Sequence, residues 1–194
     1  VPTDRRTVLA DAAIDVLAET GIRGLTHRAV DRAANLPPGT TSAYFRTRRA
    51  LLTALVRRLV ALDQAELEAI GERTPVPRNA EELVAGIAAF VEQRLTGDGR
   101  RRSLARYACA IESVHHPELR DILVPRQNAA RHVVRDFLTG QGVADAEDRT
   151  VTLLTCVDGL VFDRLVGGGA VAEQEIRGLV AAALRQQPTG PACA

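Results

Sequence analysis

The 194-residue sequence has no lysine, no methionine and no tryptophan, and its aromatic residues are two tyrosines and four phenylalanines. These shortages exclude a binding pocket built as an aromatic cage or as a pliable methionine-rich surface, and they point to an aliphatic lining. Cys109, Cys156 and Cys193 lie far apart, without the paired spacing of a metal site, and read as free thiols. No apolar run reaches the ~18–20 residues that a membrane-spanning helix needs, and the N-terminus lacks the apolar core of a secretory signal. A cytoplasmic location and no membrane partner are expected. A phosphate-binding glycine loop, a nucleophile elbow and a frame of paired carboxylates are all missing, and Gly167 to Gly169 fall between helical segments and not after a strand. The expectation is a non-enzyme with no cofactor and no resident metal.

What the chain does have is helical periodicity. No alternating, strand-like run is present, so the fold is expected to be all-α with about nine helices. Charge is unevenly placed along it. The net formal charge is +1, yet residues 1–58 carry ten arginines against five acidic residues, a balance of +5, and the remainder carries −4. A basic N-terminal part on a nearly neutral chain predicts salt-sensitive contact with a polyanion. The all-arginine basic set, with abundant Ala, Val and Leu, resembles the composition of a GC-rich bacterial genome.

Residues 26 to 49, THRAVDRAANLPPGTTSAYFRTRR, read as two short helices joined by a tight turn. Thr26 is suited to cap the first, and Ala29, Val30, Ala33 and Ala34 make a narrow apolar face that leaves His27, Arg28, Asp31 and Arg32 outward. Asn35 tolerates the left-handed turn that ends the helix, Leu36 plugs the corner, and Pro37 and Pro38 prevent continuation. Gly39 allows close backbone approach. The second helix, about Thr40 to Arg46, offers Thr40, Thr41, Ser42 and Tyr44 for hydrogen bonding, with Ala43 and Phe45 available to pack. Thr47 then caps a long helix whose open amides, with Arg48, suit a phosphate.

AAIDVLAETG followed by LTHRAVDRAANLPPGTTSAYFRTRRALLTAL resembles the DNA-binding domain of the tetracycline-repressor (TetR) family over about residues 5 to 56. The resemblance implies an N-terminal three-helix helix-turn-helix domain over residues 1–50 and a C-terminal helical bundle over 51–194 for effector binding and dimerisation. It implies that Thr26, His27, Arg28, Gly39, Thr40, Thr41, Ser42, Tyr44 and Arg48 face double-stranded operator DNA, with Phe45 in the core. Pro37 stands where the family usually has a capping serine, which predicts a recognition helix short of a side-chain cap worth ~1 kcal/mol. Ser42 and Ala43 replace aromatic residues common in the family.

Further along, a stripe of Leu51, Leu52, Leu55, Leu59, Leu62 and Leu67 marks a long connector helix from Thr47 to about Gly71, followed by a linker at Thr74 to Pro77. Asn79 and Glu82 have capping-box spacing for a helix reaching about Thr96. Gly97 to Gly99 is expected to break the chain before a helix at 101–114, and Pro117 opens another that reaches about Leu138. Asp145 caps a helix extending to Val166, and a last one covers about 171–186 before a frayed tail.

Leu153, Leu154, Val157, Leu160, Val161, Leu165, Leu179, Val180, Ala183 and Leu184 on the last two helices form the expected homodimer face. Candidates for lining a small-molecule effector pocket are Phe90, Tyr107, Cys109, Glu112, Phe137, Cys156, Asp158 and Phe162. The function expected is a homodimeric repressor released from its operator by a small, largely apolar effector. The competing readings are a regulator of the same family that answers to a protein partner or acts as an activator. More remote are a motif-free helical enzyme, or a metal sensor using His115, His116, His132, Cys109 and Glu112.

Overall fold

A computed structural model describes residues 4–73, 76–123 and 129–185, and among these it has ten helices and no strand. They are α1 (Arg5–Gly24), α2 (His27–Ala33), α3 (Thr40–Tyr44), α4 (Arg48–Arg73), α5 (Ala80–Leu95), α6 (Gly97–Glu112), α7 (Pro117–Leu123), α8 (Ala129–Gly140), α9 (Ala146–Gly167) and α10 (Glu173–Leu184). α7 and α8 lie at the two ends of the one helix expected from Pro117 to Leu138. Residues 124–128 between them lie outside the described residues, as do Thr74 and Pro75 of the expected linker, the side chain of Leu67, and the tail with Cys193.

The chain divides into two compact units that do not follow its order. The first takes α1 to α3, α4 up to Leu67, and the segment from Gln93 through α6 and α7; the second takes residues 68–92 and α8 to α10. In the first, Leu9, Ala13, Ile14, Val16 and Leu17 give α1 a buried stripe, and the helix bends at Gly21, whose φ of +68° suits glycine. The leucine stripe of α4 closes on the same core: Leu51, Leu55, Val56 and Leu59 are fully buried with Leu25, Val30 and Leu119. Each buried leucine contributes roughly 1.5–3 kcal/mol, so the connector helix is part of the head's own hydrophobic core. α6 packs against α1, with Ala105 and Cys109 facing inward. In the second unit α8 and α10 both pack on α9.

Local signals mostly act as expected. Asn79 accepts from the Glu82 amide at 2.9 Å at the start of α5, while Glu82 accepts from the Arg78 backbone N–H and guanidinium and from the Asn79 side-chain amide. The expected break at Gly97–Gly99 is corrected, because α6 already starts at Gly97 and leaves Thr96 as the corner. Gly97 has a φ of +48°, which turns the chain, and Gly99 is a close-approach position. A Cβ at Gly99 would lie 1.9 Å from the Gln93 carbonyl oxygen, so the first turn of α6 packs directly on the end of α5.

Substituting Gly99→Ala is expected to destabilise the protein by about 1–3 kcal/mol, because backbone is in the way and cannot yield cheaply. Gly86→Ala is the contrasting change: that helical glycine has nothing within 4 Å of a new Cβ. It should stabilise by about 0.5–1 kcal/mol through its helix propensity. Thermal unfolding of the two variants should move Tm in opposite directions.

Candidate nucleic-acid interface

α3 is a single five-residue turn preceded by two prolines, so its N-terminal amides need an acceptor from elsewhere. Asp31 of α2 supplies it. One carboxylate oxygen accepts from the Gly39 amide at 2.8 Å, and the other from the Thr41 amide at 2.7 Å and the Thr41 hydroxyl at 2.6 Å. Gly39 adopts a φ of +92° with open space where a Cβ would stand, so glycine serves conformation here and not clearance. Asp31 is 3% exposed and Thr41 0%. Burial pushes the Asp31 carboxyl up, but the hydrogen bonds from the Thr41 side chain and from the Thr41 and Gly39 amides, with the electrostatic attraction of the nearby His27 ring, outweigh it and leave its pKa below the ordinary 3.8.

Three expectations are therefore corrected. Asp31 points inward, the recognition helix is capped despite Pro37, and Thr41 offers its hydroxyl to Asp31 and not to a surface. The inward face of α2 runs through His27, Val30, Asp31 and Ala34, and Ala33 is exposed. Of the face that the alanines suggested, Ala29, Val30 and Ala34 pack on the core and Ala33 does not.

The remaining corners hold. Thr26 accepts from the Ala29 amide at 3.1 Å, Thr47 accepts from the Ala50 amide at 3.1 Å, and Asn35 has the expected positive φ of 53°. Phe45 is buried, and its carbonyl, left open at the end of α3, accepts from His27 Nε2 at 2.7 Å. His27 is therefore a brace between α2 and α3, which corrects the expectation that it points outward. The Thr40 hydroxyl donates to the Pro37 carbonyl at 2.6 Å. Arg48 folds back from α4 and donates to the carbonyls of Ile22 and Leu25, which satisfies orphan acceptors at the end of α1.

Facing outward on and beside α3 are Ser42, Ala43, Tyr44 and Arg46, with Arg28 exposed on α2. The guanidinium of Arg6 stands 5.7 Å from the Tyr44 ring centroid and 5.5 Å from that of Phe45, a cation–π arrangement that ties the start of α1 to α3. The sequence carried no local signal for Arg6 or Asp31, since their partners lie 38–39 and 8–10 residues away. Arg46 was legible as a charge at the end of the helix.

The C-terminal candidates are divided between the two units. Cys109 is buried in the first unit's core, where desolvation raises its thiol to about 12 and keeps it protonated. Tyr107 and Glu112 are half-buried on the same helix, and Glu112 lies 3.5 Å from His116. In the second unit Phe137 is buried and Phe90 half-buried, while Cys156, Asp158 and Phe162 are exposed. Among the described residues no group of three or more His, Cys, Asp or Glu side chains is placed to hold a metal ion. A groove of about 650 Å³ between α9 and α10 is lined by Cys156 together with Leu153, Leu179, Ala183 and charged Asp148 and Arg149.

Of the expected dimer face, Leu153, Val157, Val161, Leu165, Val180 and Ala183 are buried within the single chain, and Leu154, Leu160, Leu179 and Leu184 are half-buried. The exposed apolar side chains of α9 lie on its other side: Val151, Phe162 at 46% and Val166 at 74%.

Asp31→Ala is expected to cost about 2 kcal/mol or more, since it leaves two amides and a hydroxyl unpaired. The carboxylate's folded pKa lies below its unfolded value, so its stabilisation is present above that value and is lost as pH falls through the folded pKa. Stability measured by chemical denaturation should fall in acid less steeply for Asp31→Asn than for the native protein.

Residues 9–55 match the family model described as bacterial regulatory proteins of the tetR family, and residues 78–186 match the tetracyclin repressor-like C-terminal domain. The chain is 30% identical over 159 residues to the HTH-type transcriptional regulator BetI of Paraburkholderia phytofirmans, covering 80% of this chain and 79% of that protein. It is 27% identical over 171 residues to BetI of Serratia proteamaculans, covering 86% and 83%. Among solved structures, a transcriptional regulator from Rhodococcus sp. Rha1 matches with a TM-score of 0.73 and 24% identity over 93% of this chain and 94% of that one. The multidrug binding protein EbrR in complex with ethidium matches with a TM-score of 0.69 and 23% identity over 94% and 100%. With a helix-turn-helix head and both halves of the family pattern in place, this chain belongs to the TetR family and is a DNA-binding transcriptional regulator, not an enzyme.

Proposed function

We propose that this TetR-family regulator works in the cytoplasm as a homodimeric repressor that a small, largely apolar effector releases from its operator. The observation that carries the reading is the row of outward side chains on a short helix held from within: Ser42, Ala43 and Tyr44 are free of the cap that immobilises Thr41. Residues 1–50 are the operator-facing part, and 51–194 serve the effector and the second copy. Arg28, Arg46 and the N-terminal amides of α4 supply positive potential for phosphates around that row. Two copies joined through the exposed Val151, Phe162 and Val166 face would present two such heads. Each reads a half-site, and the half-sites stand one helical turn of DNA apart, ~34–36 Å.

Effector binding would shift α4, whose first turn begins at the head, and change that separation. Support for a small molecule comes from the fold's neighbour EbrR, solved with ethidium, proflavin and malachite green. A thermal-shift screen with flat apolar cations, lipids and acyl thioesters tests this directly. A rise in Tm, and release of operator DNA by the same compound, are expected. Stabilisation by none of them points to control by a protein partner, and transcription that rises with the protein bound points to an activator.

Two substitutions separate reading from support. Tyr44→Ala should weaken operator binding in titrations while leaving Tm close to native. Arg48→Ala should lower both, because its guanidinium holds the end of α1. The native protein's log K should fall with log salt by ~0.9 for each phosphate it neutralises.

A further inference from the structure

Away from the operator-facing surface, the first unit contains a largely buried ionic cluster. Asp63 on α4 is 5% exposed and accepts from two helices at once. One oxygen takes Arg94 Nη1, at the end of α5, at 2.9 Å; the other takes Arg106 Nε of α6 at 3.0 Å and also Arg106 Nη2. One turn further along α4, Glu66 accepts from Arg102 of α6 at 2.6 Å and from Gln93 of α5. Arg106 also donates to the Leu123 carbonyl at the end of α7, at 3.2 Å. The corner that presents these groups is itself tightly closed, by the contact of Gly99 on Gln93 and by the Ser103 hydroxyl donating to the Arg94 carbonyl at 3.0 Å.

The spacing gives this cluster a mechanical sense. Acids at i and i+3 on α4 meet arginines at i and i+4 on α6, so sliding or rotating α4 by a fraction of a turn would strand a buried carboxylate. Apolar contacts along the leucine stripe are non-directional and tolerate such a slip. The other end of α4 carries Arg48, which fastens it to the carbonyls of Ile22 and Leu25 at the end of α1.

We propose that Asp63 is a positioning residue for operator binding: it fixes the pose of α4 against the α5–α6 corner, and through α4 the pose of the recognition helix. This rests on the reading of α4 as the element that sets the separation of the heads. A head whose α4 samples several poses binds with its intrinsic affinity reduced by the fraction of competent poses.

The test uses the full chain and an operator duplex selected from random DNA by the native protein. Asp63→Asn keeps the shape and removes the charge. It should weaken operator affinity about tenfold at a temperature where circular dichroism shows it folded, with the slope of log K against log salt unchanged because the phosphate contacts persist. Arg106→Gln should do the same, and the double variant should lose little more than the worse single one. Asp63→Glu, which retains the charge, should recover part of the loss. Folded Asp63→Asn that binds within twofold of native overturns the proposal, as do additive losses in the double variant or a flattened salt slope.

If Asp63→Asn does not fold, Arg106→Lys carries the test: it keeps the charge without the fork, and unchanged affinity in that variant counts against the proposal equally. No effector enters these measurements, so failure here leaves the effector reading standing. A failed ligand screen likewise leaves this proposal standing.

Discussion

The carboxylate of Asp31 is the constraint on which the head depends. A buried acid is costly unless its oxygens are satisfied, and here three donors converge on it from a five-residue helix that has no cap of its own. The bond pattern runs between helices and not within one, so α2 and α3 are joined as one body, with His27 closing the far end of the same pair. The prolines at 37 and 38 can then shape the turn without having to serve its amides. Thr41 belongs to the same arrangement, since an apolar side chain there would leave the carboxylate short of a partner.

Arginine plays a comparable structural part throughout the chain. Arg48 closes the carbonyls at the end of α1, Arg58 forks onto Asp11, and Arg149 reaches the carbonyls of Ala182 and Ala183 at the end of α10. A planar guanidinium with five donors suits these tasks in a way that an ammonium does not, which gives the absence of lysine a physical reading. The +5 balance of residues 1–58 therefore overstates the charge available to phosphates. Arg48 and Arg58 are engaged within the protein, and Arg49 pairs with Glu118 at the surface, where such a pair contributes little to stability.

Much of the head was legible because its signals are local. Thr26, Asn35, Thr47 and the burial of Phe45 follow from residue types at fixed offsets in a turn, and the leucine stripe of α4 follows from the helical period. Asp31 was not legible, because a charged residue beside alanines reads as outward until the open amides of a helix eight to ten residues away are known to face it. Gly97 and Gly99 read as breakers, whereas one supplies a positive φ and the other clearance, and neither role is visible without the neighbouring helix. The stripe on α9 was correctly apolar but was assigned to a second copy. Periodicity identifies a buried face without saying what covers it, and here Val157 and Val161 are covered within one chain. The ionic cluster at Asp63 escaped for the same reason, since six polar side chains from three helices meet only once the core has closed.

The brevity of α3 sets a limit on how much sequence this regulator can read. Five residues rise about 7.5 Å along the helix axis, roughly two base-pair steps of 3.4 Å, and the inward Thr41 removes one side chain from that short span. The helix can thus encode only a few bits by direct contact with base edges. The rest of the regulator's discrimination among genomic sites must come from outside that contact, through the shape and deformability of the DNA. Its operators should accordingly look more alike in geometry than in letters.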